Sequence, residues 1–302
     1  MGIVAKKQIT IEAKVNTSTE NNFYDTGITL EYGDLLIISV DTQEKWSAYG
    51  FSSKSWVNAN GISFATQTYD GIYQEPAGVA RGVTQSADFE FPFGSLIGTI
   101  DDGLTYFPVG THLELTVLRG DKAKLKLVFW GGDHNTNDGT ITANIEVRKA
   151  FNHDATIEND ISLYGNHFDI HARVHSVSAK ADTDSHLNTH IELKAEDVLT
   201  VDVHPKDLWN IYTETGQAYV VNANGLGEDN KTRYSTGWTS KNFTFQHGSL
   251  IGTLDDGKTY FPVGTHLKLT VLNPGTLKFI YWDQDYRNNT GSVRAFVKVD
   301  RK

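Results

Sequence analysis

The chain has 302 residues with 37 acidic and 27 basic side chains, a formal net charge of −10 at pH 7 and no cysteine. Its length predicts about two domains of roughly 150 residues. The absence of cysteine excludes a disulfide framework, a thiol nucleophile and a cysteine metal site, and the negative charge argues against binding to nucleic acid or anionic lipid.

The N-terminal segment MGIVAKKQITIEAKV has no uninterrupted apolar run of signal-peptide length. No stretch of the chain is long and apolar enough to predict a membrane span. We therefore expect synthesis in the cytosol without a signal peptide. Release from the cell would then need lysis or a dedicated secretion route other than Sec.

Short runs in which apolar and polar residues alternate recur along the chain. This period of two is typical of strands with one buried face. In the first half the runs are Ile9–Val15, Asp34–Val40, His112–Leu118, Lys124–Trp130 and Thr140–Val147. Gly-rich turn signals separate them, and no apolar stripe with a period of 3.6 occurs, so the pattern predicts antiparallel β-sandwiches.

One 25-residue window occurs twice, at Gly94–Leu118 and Gly248–Leu272. The two windows differ at three pairs of positions, Ile100/Leu254, Leu104/Lys258 and Glu114/Lys268. Such self-similarity indicates a tandem duplication. We predict an all-β chain of two tandem β-sandwich domains: copy one (residues 1–150), a linker (151–164) whose length would let the domains reorient, and copy two (165–302).

The loop with most side-chain oxygens is Tyr281–Ser292, near the C terminus. Asp283 follows an aromatic strand end, and Asp285 and two successive amides, Asn288 and Asn289, come before a glycine. Calcium is bound by six to eight such oxygens. The same residue types are also the usual components of a β-turn, so composition leaves both interpretations open.

Four stretches of copy two together resemble a known family. They are Trp209–Tyr212, the glycine-bounded strand GSLIGTLDDG, the turn PVGTH, and Tyr-x-Asp followed by Asn-Asn-x-Gly-Ser. Their order is similar to that of the LecA-like (PA-I-type) bacterial lectins, calcium-dependent galactose binders built as small jelly-roll β-sandwiches. The resemblance implies that both predicted sandwiches are jelly-roll-like.

The resemblance also implies a set of calcium ligands in copy two. These are the carboxylate of Asp283, the side chains of Asn288 and Asn289, the main-chain carbonyl of Tyr212, and a carbonyl in the stretch 285–287, for which Asp285 and Tyr286 are the candidates. Two sugar hydroxyls would complete the calcium shell, which suits the cis 3- and 4-hydroxyls of galactose. Asp283 and Asn288 would then contact the sugar as well.

A His-Pro loop that touches the sugar in the family has no match here. In its place stands a divergent segment in which Arg233, Tyr234 and Trp238 are candidates for hydrogen bonding to and stacking against a sugar. The alternative is that these side chains pack on their own loop. The sugar specificity implied by the resemblance is therefore open.

Copy one departs from the pattern in the corresponding loop, Phe129–Thr140. Gly131 stands where Asp283 stands in copy two, and Thr136 where Asn288 stands. The remaining candidate ligands of copy one are Asp133, Asn137 and Asp138 in this loop, and Tyr49 outside it. Either these residues form a rearranged calcium site, or copy one serves as a scaffold.

Other residue groups favour structural roles. The pairs Asp101-Asp102 and Asp255-Asp256 each precede glycine, which predicts a tight turn rather than the facing carboxylates of a glycoside hydrolase. His112 and His266 share a repeat position, which favours a common role at a strand start. His171 and His175 would share one face of a strand, which leaves a zinc site open.

Taken together, these features predict a non-enzymatic tandem lectin with calcium as its cofactor and galactose-containing glycans as partners, with avidity from the two copies. Homo-oligomerisation is compatible with this prediction. Two alternatives stay open: an adhesin- or toxin-associated module acting on a protein partner, and a calcium-free structural module.

Overall fold

The computed structural model describes residues 2–18, 22–50, 53–62, 79–81, 89–118, 123–131, 135, 137–149, 165–178, 185–212, 216–227, 237–240 and 243–302. The predicted linker, 151–164, lies outside these residues, as do Asp133, Arg233 and Tyr234. Within the described ranges the chain forms strands and no α-helix, which confirms the all-β prediction.

Twelve strands fall in copy one. They are β1 (Ile3–Glu12), β2 (Tyr24–Leu30), β3 (Leu35–Val40), β4 (Trp46–Gly50), β5 (Ser53–Val57), β6 (Val79–Arg81), β7 (Glu90–Pro92), β8 (Ser95–Thr99), β9 (Tyr106–Pro108), β10 (His112–Thr116), β11 (Ala123–Trp130) and β12 (Asp138–Arg148).

Twelve more strands fall in copy two, with a 3-10 helix at Tyr286–Asn288 before the last. They are β13 (Asn166–His171), β14 (Leu187–Leu193), β15 (Val198–Val203), β16 (Trp209–Tyr212), β17 (Ala218–Val221), β18 (Trp238–Ser240), β19 (Phe243–Phe245), β20 (Ser249–Thr253), β21 (Phe261–Pro262), β22 (His266–Thr270), β23 (Gly275–Trp282) and β24 (Thr290–Asp300).

The two copies repeat one antiparallel pairing scheme. Copy one forms a four-stranded sheet in the order β2-β11-β8-β9, and copy two forms its counterpart, β14-β23-β20-β21. The remaining long strands of both copies belong to one twelve-stranded sheet. Two short hairpins, β6–β7 and β18–β19, complete the described strands.

The twelve-stranded sheet is continuous because β10 of copy one pairs with β22 of copy two. Glu114 lies opposite Lys268 in this pairing, with leucine pairs on either side. Glu114 and Lys268 are equivalent positions of the repeat, and on either side of them Leu113 pairs with Leu269 and Leu115 with Leu267, a pattern that is symmetric about the central pair. We call the contact between these two strands the seam.

Strand β11 shows how the core is divided. Its residues Leu125, Leu127 and Phe129 belong to a large cluster with members from both copies, whereas Val128 and Trp130 belong to a second cluster. The end of this strand is therefore buried on both faces, and so is the end of β23. The expectation of a single buried face fails there.

The second cluster combines residues from both copies. The rings of Phe89 and Phe243, one from each copy, lie 4.7 Å apart between centroids. Tyr32 of copy one donates a hydrogen bond to the Gly225 carbonyl of copy two, at 2.8 Å. A shared sheet and a shared core oppose the reorientation of the copies that the linker length suggested.

The paired aspartates form tight turns, as predicted. Asp102 and Asp256 have φ angles of 59° and 60°, in the left-handed region that such turns require. The carboxylate of Asp101 accepts hydrogen bonds from the Thr99 hydroxyl and the Thr105 amide at 2.9 and 2.8 Å. This carboxylate closes its own turn.

Candidate functional site

The candidate site lies where β20 and β23 of copy two meet. Ser249 pairs with Trp282, and the Gly248 amide donates to the Trp282 carbonyl at 2.7 Å. This register brings His247, just before β20, beside Asp283, just after β23. The two residues are 36 positions apart in the chain.

Asp283 is a buried acid of which only one carboxylate oxygen is hydrogen-bonded within the protein. Its exposed fraction is 2%. His247 Nδ1 lies 2.9 Å from Asp283 Oδ1, whereas Oδ2 has no hydrogen-bond partner in the protein. Leaving a buried oxygen unsatisfied costs about 1–3 kcal/mol, and more for a charged group.

Asn288 and Asn289 bring two more buried oxygens to the same loop. Asn288 ends the 3-10 helix, and Asn289 is its C-terminal cap, with no exposed surface. The Oδ1 atoms of both side chains, and Nδ2 of Asn289, lack partners in the protein. The three side chains that the resemblance named thus each hold an unsatisfied buried oxygen.

The other predicted ligands lie at the edge of this loop. Asp285 is turned outwards, and its carboxylate binds the Arg287 guanidinium at 2.9 and 3.0 Å, which holds the pKa of Asp285 below its ordinary value. The Tyr286 carbonyl accepts the Asn289 amide at 3.3 Å. Tyr212 ends β16. In this strand Trp209 pairs with Gly291 and Asn210 with Thr290 of β24, so β16 runs from there in the direction of Asn288.

Trp238, predicted to stack on a sugar, is half-buried and in contact with the site. Its ring is nearly parallel to the His247 ring, at 24° and 6.4 Å between centroids. Its carbonyl accepts the Trp282 indole N–H at 2.8 Å. This side chain supports His247 from one side, so its role is at least partly structural.

The residues present fit a hard oxygen-seeking cation. One carboxylate and two amides supply neutral and anionic oxygens, which calcium prefers.

The electrostatics around the site show how deeply it is buried. Burial, with a contribution from the Asp283 charge, raises the pKa of the nearby Tyr281 well above its ordinary value. No group of three or more His, Cys, Asp or Glu side chains that could hold a metal occurs in the described part of the chain.

Copy one does not reproduce this arrangement among its described residues. A Cβ added to Gly131 would overlap the buried Phe129 ring. Asn137 is buried but donates to the Ala13 carbonyl at 3.4 Å, and Asp138 is exposed and accepts the Gly139 amide at 2.8 Å. Tyr49 lies in β4, paired with Lys54.

His247 is the site residue that sequence reasoning missed. The signal was present, because copy one has Phe93 at the same repeat position, directly before the near-identical window. Copy one therefore lacks both members of the His247–Asp283 pair. A comparison of the copies position by position would have found this joint replacement.

Two pairs of histidines for which the sequence predicts strand positions have different outcomes. His112 and His266 begin β10 and β22, as predicted. The chain turns after His171, and the His171 amide donates to His175 Nδ1 at 2.9 Å. Burial lowers the pKa of His175 to about 4. His175 thus lies outside β13, and the two histidines do not share a strand face, although their ring centroids are 5.8 Å apart.

Comparisons with known proteins identify no family. No family model and no curated protein matches the sequence. A crystal structure from Pseudomonas syringae pv. tomato, of a protein of unknown function in the DUF861 family, is 7% identical, with 98% of this chain and 82% of that chain covered and a TM-score of 0.14. VP17, a bacteriophage capsid protein, is 8% identical, with both chains covered completely and a TM-score of 0.07. At these TM-scores neither similarity indicates a shared fold.

Among the described residues no helix is long and apolar enough to cross a membrane.

Proposed function

We propose that this protein is a non-enzymatic lectin that binds galactose-type sugars through a calcium ion held by copy two. The observation that carries the proposal is the set of unsatisfied buried oxygens on Asp283, Asn288 and Asn289. These are the side chains that the resemblance to the LecA-like lectins selects, without reference to the fold. A bound calcium ion would satisfy them and offer coordination positions to two sugar hydroxyls.

The described residues favour one calcium site per chain, in copy two. Avidity from the duplication would need a second site in copy one, and it stays a prediction. The shared sheet and core would hold any two sites at a fixed separation. Homo-oligomerisation is a second way in which one site per chain could gain avidity.

Thermal unfolding of the full chain tests the proposal. A ligand that binds only the folded form at 100 times its Kd stabilises it by about 2.7 kcal/mol. We expect calcium to raise the melting temperature, chelator to reverse the rise, and galactose to add a further rise only when calcium is present. Glucose, whose 4-hydroxyl has the opposite configuration, is the matched control sugar.

Asp283→Asn removes the charge with little change of shape. We expect this variant to lose the calcium response, and Asp285→Asn, in the same loop but turned outwards, to keep it. If calcium leaves the wild-type melting temperature unchanged, the calcium-free structural module is the better description. If calcium acts but no galactose-type sugar does, a protein partner becomes the better candidate.

A further inference from the structure

We infer that His247 is a positioning residue of the proposed calcium site, which fixes the Asp283 carboxylate so that Oδ2 is the oxygen left for the ion. This inference rests on the proposed function. His247 itself is not assigned a contact with calcium or sugar.

The direct contact is a hydrogen bond inside the protein. His247 Nδ1 lies 2.9 Å from Asp283 Oδ1, and both side chains are almost completely buried. A carboxylate can only accept, so the Nδ1–H group of His247 is the donor. The bond removes rotational freedom from a carboxylate whose second oxygen has no partner in the protein.

His247 is itself held on several sides. The ring of Trp238 stacks along it. The next residue, Gly248, has its amide bonded to the Trp282 carbonyl and its carbonyl bonded to the Trp209 indole N–H, at 2.7 and 2.8 Å. The donor atom is therefore fixed by the β20–β23 register and by two tryptophans.

Copy one provides an internal comparison. There Phe93 replaces the histidine and Gly131 replaces the aspartate, although the 25-residue window beginning at Gly94 is nearly unchanged. The donor and the acceptor have been replaced together. That is expected if the histidine acts through the carboxylate, because either member alone would leave a buried polar group unsatisfied.

Calcium titration calorimetry on full-length variants tests the inference. Partners that hydrogen-bond to a metal-binding side chain typically contribute 10- to 100-fold to metal affinity. We expect His247→Phe, which introduces the residue found in copy one, to weaken calcium binding by about that factor. His247→Asn keeps an N–H donor on a short side chain, and we expect it to recover most of the affinity.

A matched control is His186→Phe. His186 is a buried histidine of copy two whose Nε2 lies 3.0 Å from the Tyr260 hydroxyl, in contact with a different group. We expect its loss to leave the calcium affinity unchanged. If His247→Phe does not fold, His247→Leu takes its place as the variant without a donor.

Two results would overturn the inference while the proposed function stands. One is a calcium affinity of His247→Phe within threefold of wild type. The other is an equal loss in the Phe and Asn variants, which would assign the effect to packing. A wild-type protein that binds no calcium would instead overturn the proposed function.

Discussion

Gly131 and Asp283 occupy the same position of the repeat, but a side chain at Gly131 would overlap a neighbouring ring. Asp283 has room beside His247 for a full side chain. A Cβ at Gly131 would lie too close to the ring of Phe129, although Phe129 packs edge-on against Trp46 as the equivalent Tyr281 does against Trp209. An aspartate at Gly131 would therefore require the Phe129 ring to move.

We expect Gly131→Asp to create no second calcium site and to destabilise the protein. Forcing a side chain into a packed interior typically costs about 1–3 kcal/mol. Calorimetry should still find one calcium ion per chain, and thermal unfolding should show a lower melting temperature. Gly165→Asp is the control, since a Cβ there meets nothing within 4 Å. Two calcium ions bound by Gly131→Asp would contradict this expectation.

The seam joins the two copies through their nearly identical windows, at one of the few positions where these windows differ. Glu114 and Lys268 are one of only three differences within the repeated window, and the structure places them opposite each other, with Nζ 3.3 Å from Oε1. Identical residues at this position would bring like charges together, which destabilises a strand pair. His112 and His266 hydrogen-bond to the same glutamate, His112 more strongly, and hold the pKa of Glu114 far below its ordinary value.

Reversing the charge at the seam should weaken the whole fold. We expect Lys268→Glu to reduce the free energy of unfolding by about 1 kcal/mol, because two carboxylates would then face each other. Lys298→Glu, which breaks an exposed pair with Asp300 on β24, is the control and should change it by less. Urea denaturation of both variants checks the difference, and equal effects would count against a special role for the seam.

The seam also predicts a dependence of stability on pH. Burial alone would lower the pKa of His266, but its hydrogen bonds to Asp202 and Glu114, and the charges of those acids, outweigh burial and raise it from 6.5 to about 9. This contribution to stability is complete below pH 6.5 and is lost as the pH rises through about 9. Urea denaturation should show a free energy of unfolding that falls across this window in wild type. The fall should be smaller in His266→Gln, and an equal slope in both proteins would contradict the assignment.

The second core cluster joins the two copies into one folded unit. Copy one contributes Phe89, Phe91 and Trp130 to the second core cluster, and copy two contributes the equivalent Phe243, Phe245 and Trp282. Separating the copies would expose these rings together with two strand edges. The two copies therefore share one core and one sheet and are not separate domains joined only by a linker.

Cooperative unfolding should follow from the shared core. We expect differential scanning calorimetry in chelator to show a single transition, with a calorimetric enthalpy close to the van't Hoff value. Weakening the core at one copy, for example by Phe243→Ala, should lower the temperature of that one transition and not split it. Two separate transitions in the wild-type scan would contradict a shared core.

The sequence by itself determined the strand content, the duplication and the residues of the candidate loop, because alternation, repetition and side-chain oxygens are local properties. The paired-aspartate turns were predictable for the same reason. Only the tertiary structure decided that β10 pairs with β22, that β11 and β23 are buried on both faces, and that His247 meets Asp283. Alternation specifies which face of a strand is buried, but the partner of an edge strand depends on which unpaired backbone groups meet in space. Contacts between distant segments were therefore decided by the fold.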